Sequence, residues 1–218
     1  MSTIIFPSSF GATPIFFALI HSDHKVIIDE GGFFYKQTFR NRANVLSPNG
    51  IIPLVIPVLG GRKYSTPLKN IRIDYTENWI HKHIRALETY YYSSPFFEIL
   101  ADDIKAIYNN KFEYLWQLNR AFIKYFVELL DINLNHTEFG DTNNISKNEL
   151  LDLRKLYSPK RDYLHFFDID YPKYYQVYRK NNKFIKELSI FDLVFNTGSE
   201  AGLYIRQLAK NLKIIAQN

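Results

Sequence analysis

The sequence predicts an α/β fold, a mixed sheet built from the N-terminal half and packed with a helical C-terminal half, with α+β as the alternative. Three observations predict it. Two short, continuous apolar runs, Ile4-Ile5-Phe6 and Val26-Ile27-Ile28, bracket a helical stretch at the spacing of a βαβ unit. The apolar segment Ile51–Val58 follows, and its Pro53 and Pro57 suit edge or irregular strands. After Tyr75 the apolar spacing changes to three and four residues, the period of a helix.

Taken in order, Ile4-Ile5-Phe6 reads as a buried strand closed by Pro7-Ser8-Ser9. Thr13 is placed to cap a helix over Pro14–His21, with Pro14 at its first position. Val26-Ile27-Ile28 forms the parallel partner and ends at Asp29 and Gly31-Gly32. Phe34–Leu46 alternates imperfectly, as a strand would, and Asn70–Ile73 is a weaker strand candidate. Helices follow over Glu77–Tyr92, Phe96–Tyr108 and Phe112–Asp131; the last sets Phe112, Leu115, Phe122 and Phe126 opposite Glu113, Arg120 and Lys124. The polar stretch Asn133–Lys147 reads as a loop or flap, and Ser158–Tyr163 as a second polar segment. Ser189 and Asp192 begin a short helix to Phe195, Gly198 ends it, and Ser199 starts a last helix to about Ile215.

The chain has 218 residues and reads as one domain spanning 1–218. It has no cysteine, which excludes disulfides, thiolate nucleophiles and Cys-ligated metal. No apolar run reaches the roughly 20 residues of a membrane span, and no basic segment precedes the first apolar run, so a cytoplasmic protein is expected. The net charge of +5 is uneven: residues 1–95 hold 10 basic and 6 acidic side chains, whereas the remainder is nearly balanced. A positive cleft in the first half would attract phosphates or carboxylates. No run of consecutive cations resembles a nucleic-acid-binding arm, so nucleic acid is a disfavoured partner.

The densest polar cluster is Lys36-Gln37-Thr38-Phe39-Arg40-Asn41-Arg42. On a strand, Lys36, Thr38, Arg40 and Arg42 share one face and could grip an anion, Arg supplying a two-pronged fork. The plainer reading is an edge strand kept charged against aggregation. His81-Lys82-His83 lies on a helix, where residues two apart diverge, so the pair does not chelate a metal. His83 faces the apolar side with Trp79 and Leu87, where a satisfied core histidine is commoner than a base. Asp168-Ile169-Asp170 sets two carboxylates on one strand face, although a turn before Pro172 is the preferred account of them. No metal site and no cofactor is assigned.

These segments, in their order and spacing, resemble the WbqC-like protein family. Phe6-Pro7, the Lys36–Arg42 run, Trp79-x-x-Lys82-His83, Tyr91-x-x-Ser94-Pro95-Phe96-Phe97, Tyr175-Gln176-Val177-Tyr178 and the run Leu188 to Asn196 with Gly198 carry the likeness. The resemblance implies a bacterial protein of surface-polysaccharide (O-antigen) or nucleotide-sugar biosynthesis, with acyl or aminoacyl transfer to an amino sugar as its reaction. The alternative is a non-catalytic sugar- or partner-binding protein of the same pathway. An anionic substrate such as a nucleotide sugar follows from that implication. It points to Arg40, Asn41, Arg42, Tyr91, Gln176 and Asn196 as binding positions beside Lys36, with Lys82 and His83 as catalytic candidates. Phe39, Tyr91 and Tyr175, beside these polar groups, are expected in a pocket wall. With no thiol, no thioester intermediate can form on the protein.

Overall fold

In the computed structural model, which describes residues 3–60, 66–142, 150–178 and 183–215, the first βαβ unit forms as the apolar runs predict. Strand β1 (Thr3–Pro7) pairs in parallel with β2 (Lys25–Asp29), with Ile4 opposite Val26 and Phe6 opposite Ile28. Helix α1 (Pro14–His21) joins them. Pro14 at its first turn needs no partner for a missing N–H, and every residue from Ile4 to Ile20 is buried.

The connection from β2 holds most of the remaining architecture. An antiparallel ribbon comes first, β3 (Arg42–Ser47) with β4 (Gly50–Val55), and Pro53 sits on its open edge opposite Asn44. The two-residue strands β5 (Val58–Leu59) and β6 (Arg72–Ile73) pair next. Helices α2 (Trp79–Tyr91), α3 (Phe97–Asn109) and α4 (Leu115–Leu129) then pack their apolar stripes on the core. The α2 stripe is Trp79, His83, Leu87 and Tyr91, one residue per turn.

The chain then returns to the sheet. Strand β7 (Thr137–Gly140) adds beside β2, and β8 (Leu150–Asp152) adds beside β1, both in parallel. The sheet order is therefore β7-β2-β1-β8, all parallel, and the antiparallel pairs stand apart from it. The fold is α/β, but half of its central strands come from residues 137–152, and β7 falls inside the stretch Asn133–Lys147 that sequence reading expects to be a loop. Strand β7 carries one large apolar residue, Phe139, because an edge strand held by backbone pairing to β2 needs little more. The rest of the expected flap, residues 143–147, lies outside the described residues.

Strand β9 (Phe167–Asp168), helices α5 (Ile190–Thr197) and α6 (Glu200–Asn211) and strand β10 (Lys213–Ile214) complete the order. The Ser189 hydroxyl caps α5 by accepting from the Phe191 N–H at 3.3 Å. Gly198 ends α5 at φ +55°, where a Cβ would also meet the Phe96 ring at 2.3 Å. Asp168 and Asp170 are exposed, Asp168 on strand β9 in the short β9–β10 pair, rather than in a turn before Pro172. Among the described residues no helix is long and apolar enough to cross a membrane.

Candidate functional site

In an open parallel sheet, ligands bind outside the carboxyl ends of the strands, where the connections diverge to opposite sides. Here β1 is followed on one side by β2 and on the other by β8, so the divergence lies between β1 and β8. A crevice of about 600 Å³ opens at that point, floored by Ile5 and Leu150 and walled by Tyr35, Arg40, Asp152 and Arg154. The other common anion position in a βαβ unit, the N-terminus of the first helix, is closed. The Thr13 N–H donates to the Tyr157 hydroxyl at 2.9 Å, and the Glu187 carboxylate accepts from the Ile15 backbone and from Tyr163 and Tyr171. An internal carboxylate thus already meets the positive end of α1.

The residues Lys36 to Asn41 form turns, and the strand begins only at Arg42, which corrects the shared-face expectation. Gln37 has φ +60°, and the Thr38 hydroxyl donates back to the Tyr35 carbonyl at 2.7 Å, so the chain folds over itself. In consequence neighbouring residues Phe39, Arg40 and Asn41 are all buried. Three consecutive carbonyls fix them. That of Phe39 accepts from Phe10 N–H at 2.8 Å, that of Arg40 from Asn119 Nδ2 at 2.8 Å, and that of Asn41 from Ile56 N–H at 2.9 Å. The Asn41 side chain returns the last bond to the Ile56 carbonyl, also at 2.9 Å. The first βα loop, α4 and the connection that follows the ribbon therefore hold one short segment whose side chain enters the crevice.

That side chain is Arg40, 1% exposed. Its Nη2 donates to the Arg154 carbonyl at 2.8 Å and its Nη1 to Thr38 Oγ1 at 3.4 Å, and its face lies over the Tyr35 ring at 5.1 Å. Its Nε has no partner, and among the described residues no carboxylate lies within ion-pair distance. Burial lowers its pKa to about 10, with Asp29 opposing through space, so it remains a cation at neutral pH. A buried cation without a direct ion pair among the described residues is a costly feature that a bound anion would offset.

Arg154 completes the crevice, bridging Asp152 at 2.6 Å and Asp29 at 3.8 Å and donating to the Thr142 hydroxyl at 2.6 Å. Burial by itself would raise the Asp152 carboxyl, but hydrogen bonds from Arg154 outweigh it and hold the pKa below the usual value. Asp152 is thus a fixed anion and a weak base. The crevice continues past Tyr35 and Lys155 into an open groove lined by Lys36, Lys160 and Arg161. A third hollow shares Lys36 and Gln37 with that groove and reaches Asn41 and Arg42. Counted along the described lining of all three hollows, seven cations face two carboxylates, Asp74 and Asp152. Four of the cations follow β8 and were not singled out from the sequence. The run of four cations between 154 and 161 was the available signal.

The remaining expected site residues lie elsewhere. His83 is 4% exposed, ringed by Phe10, Trp79 and Tyr108. Its Nε2 is 3.1 Å from the Val55 carbonyl, which only accepts, so Nε2 carries the proton and Nδ1 accepts from the Tyr108 hydroxyl at 3.3 Å. Burial lowers its pKa to about 4. Lys82 is exposed and bridges Glu77 at 2.8 Å. Of the three aromatics expected in a pocket wall, Phe39 and Tyr91 are buried in the core and Tyr175 is exposed; Tyr35 lines the crevice instead.

Tyr91, Gln176 and Asn196 converge on Asp192. The Tyr91 hydroxyl donates to Asp192 Oδ1 at 2.8 Å, and Tyr174 and Gln176 donate to Oδ2 at 2.6 and 3.2 Å. Asn196 Nδ2 donates to the Asp192 carbonyl at 2.7 Å. This buried hub ties α2, α5 and the segment around Gln176 together and faces none of the hollows. Asp192→Ala leaves several buried donors without an acceptor and is expected to lower unfolding stability by roughly 2–4 kcal/mol. Urea unfolding measures that loss, and ligand affinity of the folded variant should stay within about threefold of wild type.

A family model described as the WbqC-like protein family matches residues 13–157 and 143–204. The chain is also similar to a protein of Mycobacterium tuberculosis (strain ATCC 25618 / H37Rv) named Uncharacterized protein Rv1507c, 26% identical over 212 residues covering 88% of this chain and 91% of that one. No solved structure matches.

Proposed function

The chain belongs to the WbqC-like protein family, and from that premise we propose that it is a transferase of surface-polysaccharide precursor biosynthesis that holds a nucleotide-linked amino sugar by its phosphate in the basic crevice. The observation that carries the reading is Arg40, a buried guanidinium at the divergence of the sheet with an unpartnered Nε and, among the described residues, no carboxylate within ion-pair distance. Arg40 and Arg154 hold the phosphate, and Asp152 orients the amine or hydroxyl that receives the transferred group. His83 and Lys82 take no step in this reading. The work is done in the cytoplasm, where nucleotide-linked sugars are made.

A second reading, a sugar-binding protein without turnover, is favoured by one observation: the crevice holds a weak base, and the buried imidazole is locked between Val55 and Tyr108. One experiment separates the two. The protein is incubated with nucleotide-linked amino sugars and acyl or aminoacyl donors, with thermal shift read first and sugar mass second. A ligand at 100 times its dissociation constant stabilises by about 2.7 kcal/mol. A shift with a mass gain supports the transferase, a shift without one supports the binding protein, and no shift with any nucleotide sugar contradicts both.

A further inference from the structure

We infer that the site takes a diphosphate-linked ligand, one phosphoryl group in the Arg40–Arg154 crevice and the next in the adjoining groove at Lys155, Lys160 and Arg161. The inference rests on the proposed phosphate-binding role of the crevice and specifies the ligand class it admits. Three observations carry it.

First, the two hollows are of similar size, about 600 and 590 Å³, and they share Tyr35 and Lys155 as a common wall. Adjacent phosphoryl groups of a diphosphate share one bridging oxygen, so their sites must lie side by side, and Lys155 lines both hollows. Second, the charge balance differs between the halves. In the crevice Arg154 is already paired with Asp152, leaving Arg40 and Lys155 free of an ion pair among the described residues. In the groove Lys36, Lys155, Lys160 and Arg161 face no carboxylate among the described lining residues. A single phosphate in the crevice leaves that second set of cations repelling one another, whereas a diphosphate carries negative charge on both phosphoryl groups and compensates both sets.

Third, the groove is built to hold its cations in place. The Arg161 N–H donates to the Ser158 carbonyl at 3.2 Å, closing a turn that presents Lys160 and Arg161 on one side. Lys160 Nζ also donates to Gln37 Oε1, joining this turn to the one that carries Arg40. The two anion positions are thereby fixed relative to each other. A mononucleotide-linked sugar or a sugar monophosphate would occupy the crevice alone.

Calorimetric titration of the whole protein with uridine monophosphate, uridine diphosphate, phosphate and pyrophosphate tests this. The expected result is that each diphosphate binds at least about tenfold tighter than its monophosphate, the increment of one charge-assisted group. The double variant Lys160→Ala, Arg161→Ala should remove that preference while leaving monophosphate affinity within about threefold. Equal affinities for mono- and diphosphates overturn the inference and leave the phosphate-binding crevice standing. A diphosphate preference that survives the double variant overturns the groove as its source. A uridine oligonucleotide that binds more tightly than the diphosphate overturns the ligand class. Failure of all four probes to bind overturns the proposed function itself.

Discussion

Arg40→Met is expected to weaken nucleotide-sugar binding at least about 30-fold while changing the stability of the unliganded protein by no more than about 1 kcal/mol. Both parts follow from the same geometry. The Arg40 guanidinium is withdrawn from solvent and makes two hydrogen bonds, one of them long, and no ion pair among the described residues. Replacing a buried ion by an apolar side chain of similar volume is often neutral or stabilising, because the desolvation penalty goes with the charge. Truncating one member of a desolvated ligand contact, in contrast, costs about 2–5 kcal/mol of affinity. Arg40→Lys keeps the charge and loses the fork, so its affinity should fall between the two. A residue with only a structural role would behave in the reverse way, losing stability and sparing affinity. Thermal denaturation of the unliganded variants, set beside titration with the nucleotide sugar, reads both quantities.

The second large effect concerns His83. Its folded pKa lies near 4, against 6.5 for an exposed imidazole, because burial among Phe10, Trp79 and Tyr108 disfavours the charged form. Between those two values the unfolded chain binds a proton that the folded chain refuses, so stability rises with pH across that window and falls on acidification. Going from pH 7.5 to 4.5, this one group should remove about 2.5 kcal/mol of stability. Glu187 and Asp192 act in the opposite sense, since burial raises their pKa values and lets the folded chain take up protons first. His83→Gln removes the titration and can keep a donor toward the Val55 carbonyl. Its unfolding free energy, measured in urea at both pH values, should therefore fall less than that of wild type, by about the imidazole's share. The same variant should keep most of its ligand affinity, because His83 lines none of the hollows around Arg40.

How far the sequence carried this picture depends on whether each signal was local. The βαβ start was legible because two continuous apolar runs flank a helix with its own proline signal. Helices α2 to α4 were legible from one apolar residue per turn. Strand β7 was not, because four residues with a single phenylalanine carry no periodicity, and only their pairing with β2 makes them a strand. The Lys36–Asn41 segment alternates like a strand yet turns, since the Thr38–Tyr35 bond and the left-handed Gln37 fold it back.

The site divides in the same way. Arg40 stood out as a candidate anion-gripping residue, and the structure buries it at the mouth of the sheet. Arg154, Lys155, Lys160 and Arg161 were hidden by averaging, because the second half of the chain is nearly neutral overall while this short run is not. Tyr91, Gln176 and Asn196 stood out through the family resemblance, and the contact that unites them is long-range. Their shared partner Asp192 is 101 residues from Tyr91, and spacing along a chain holds no record of such a meeting. His83 was legible in its surroundings, since a histidine in line with Trp79 and Leu87 faces a core.

The measurement that bears most directly on the basic crevice is a crystal structure of the protein with uridine diphosphate. A phosphate oxygen is expected within about 3 Å of Arg40 Nε, between the ends of β1 and β8. A nucleotide bound away from Arg40, with that Nε still unpartnered, would contradict the assignment.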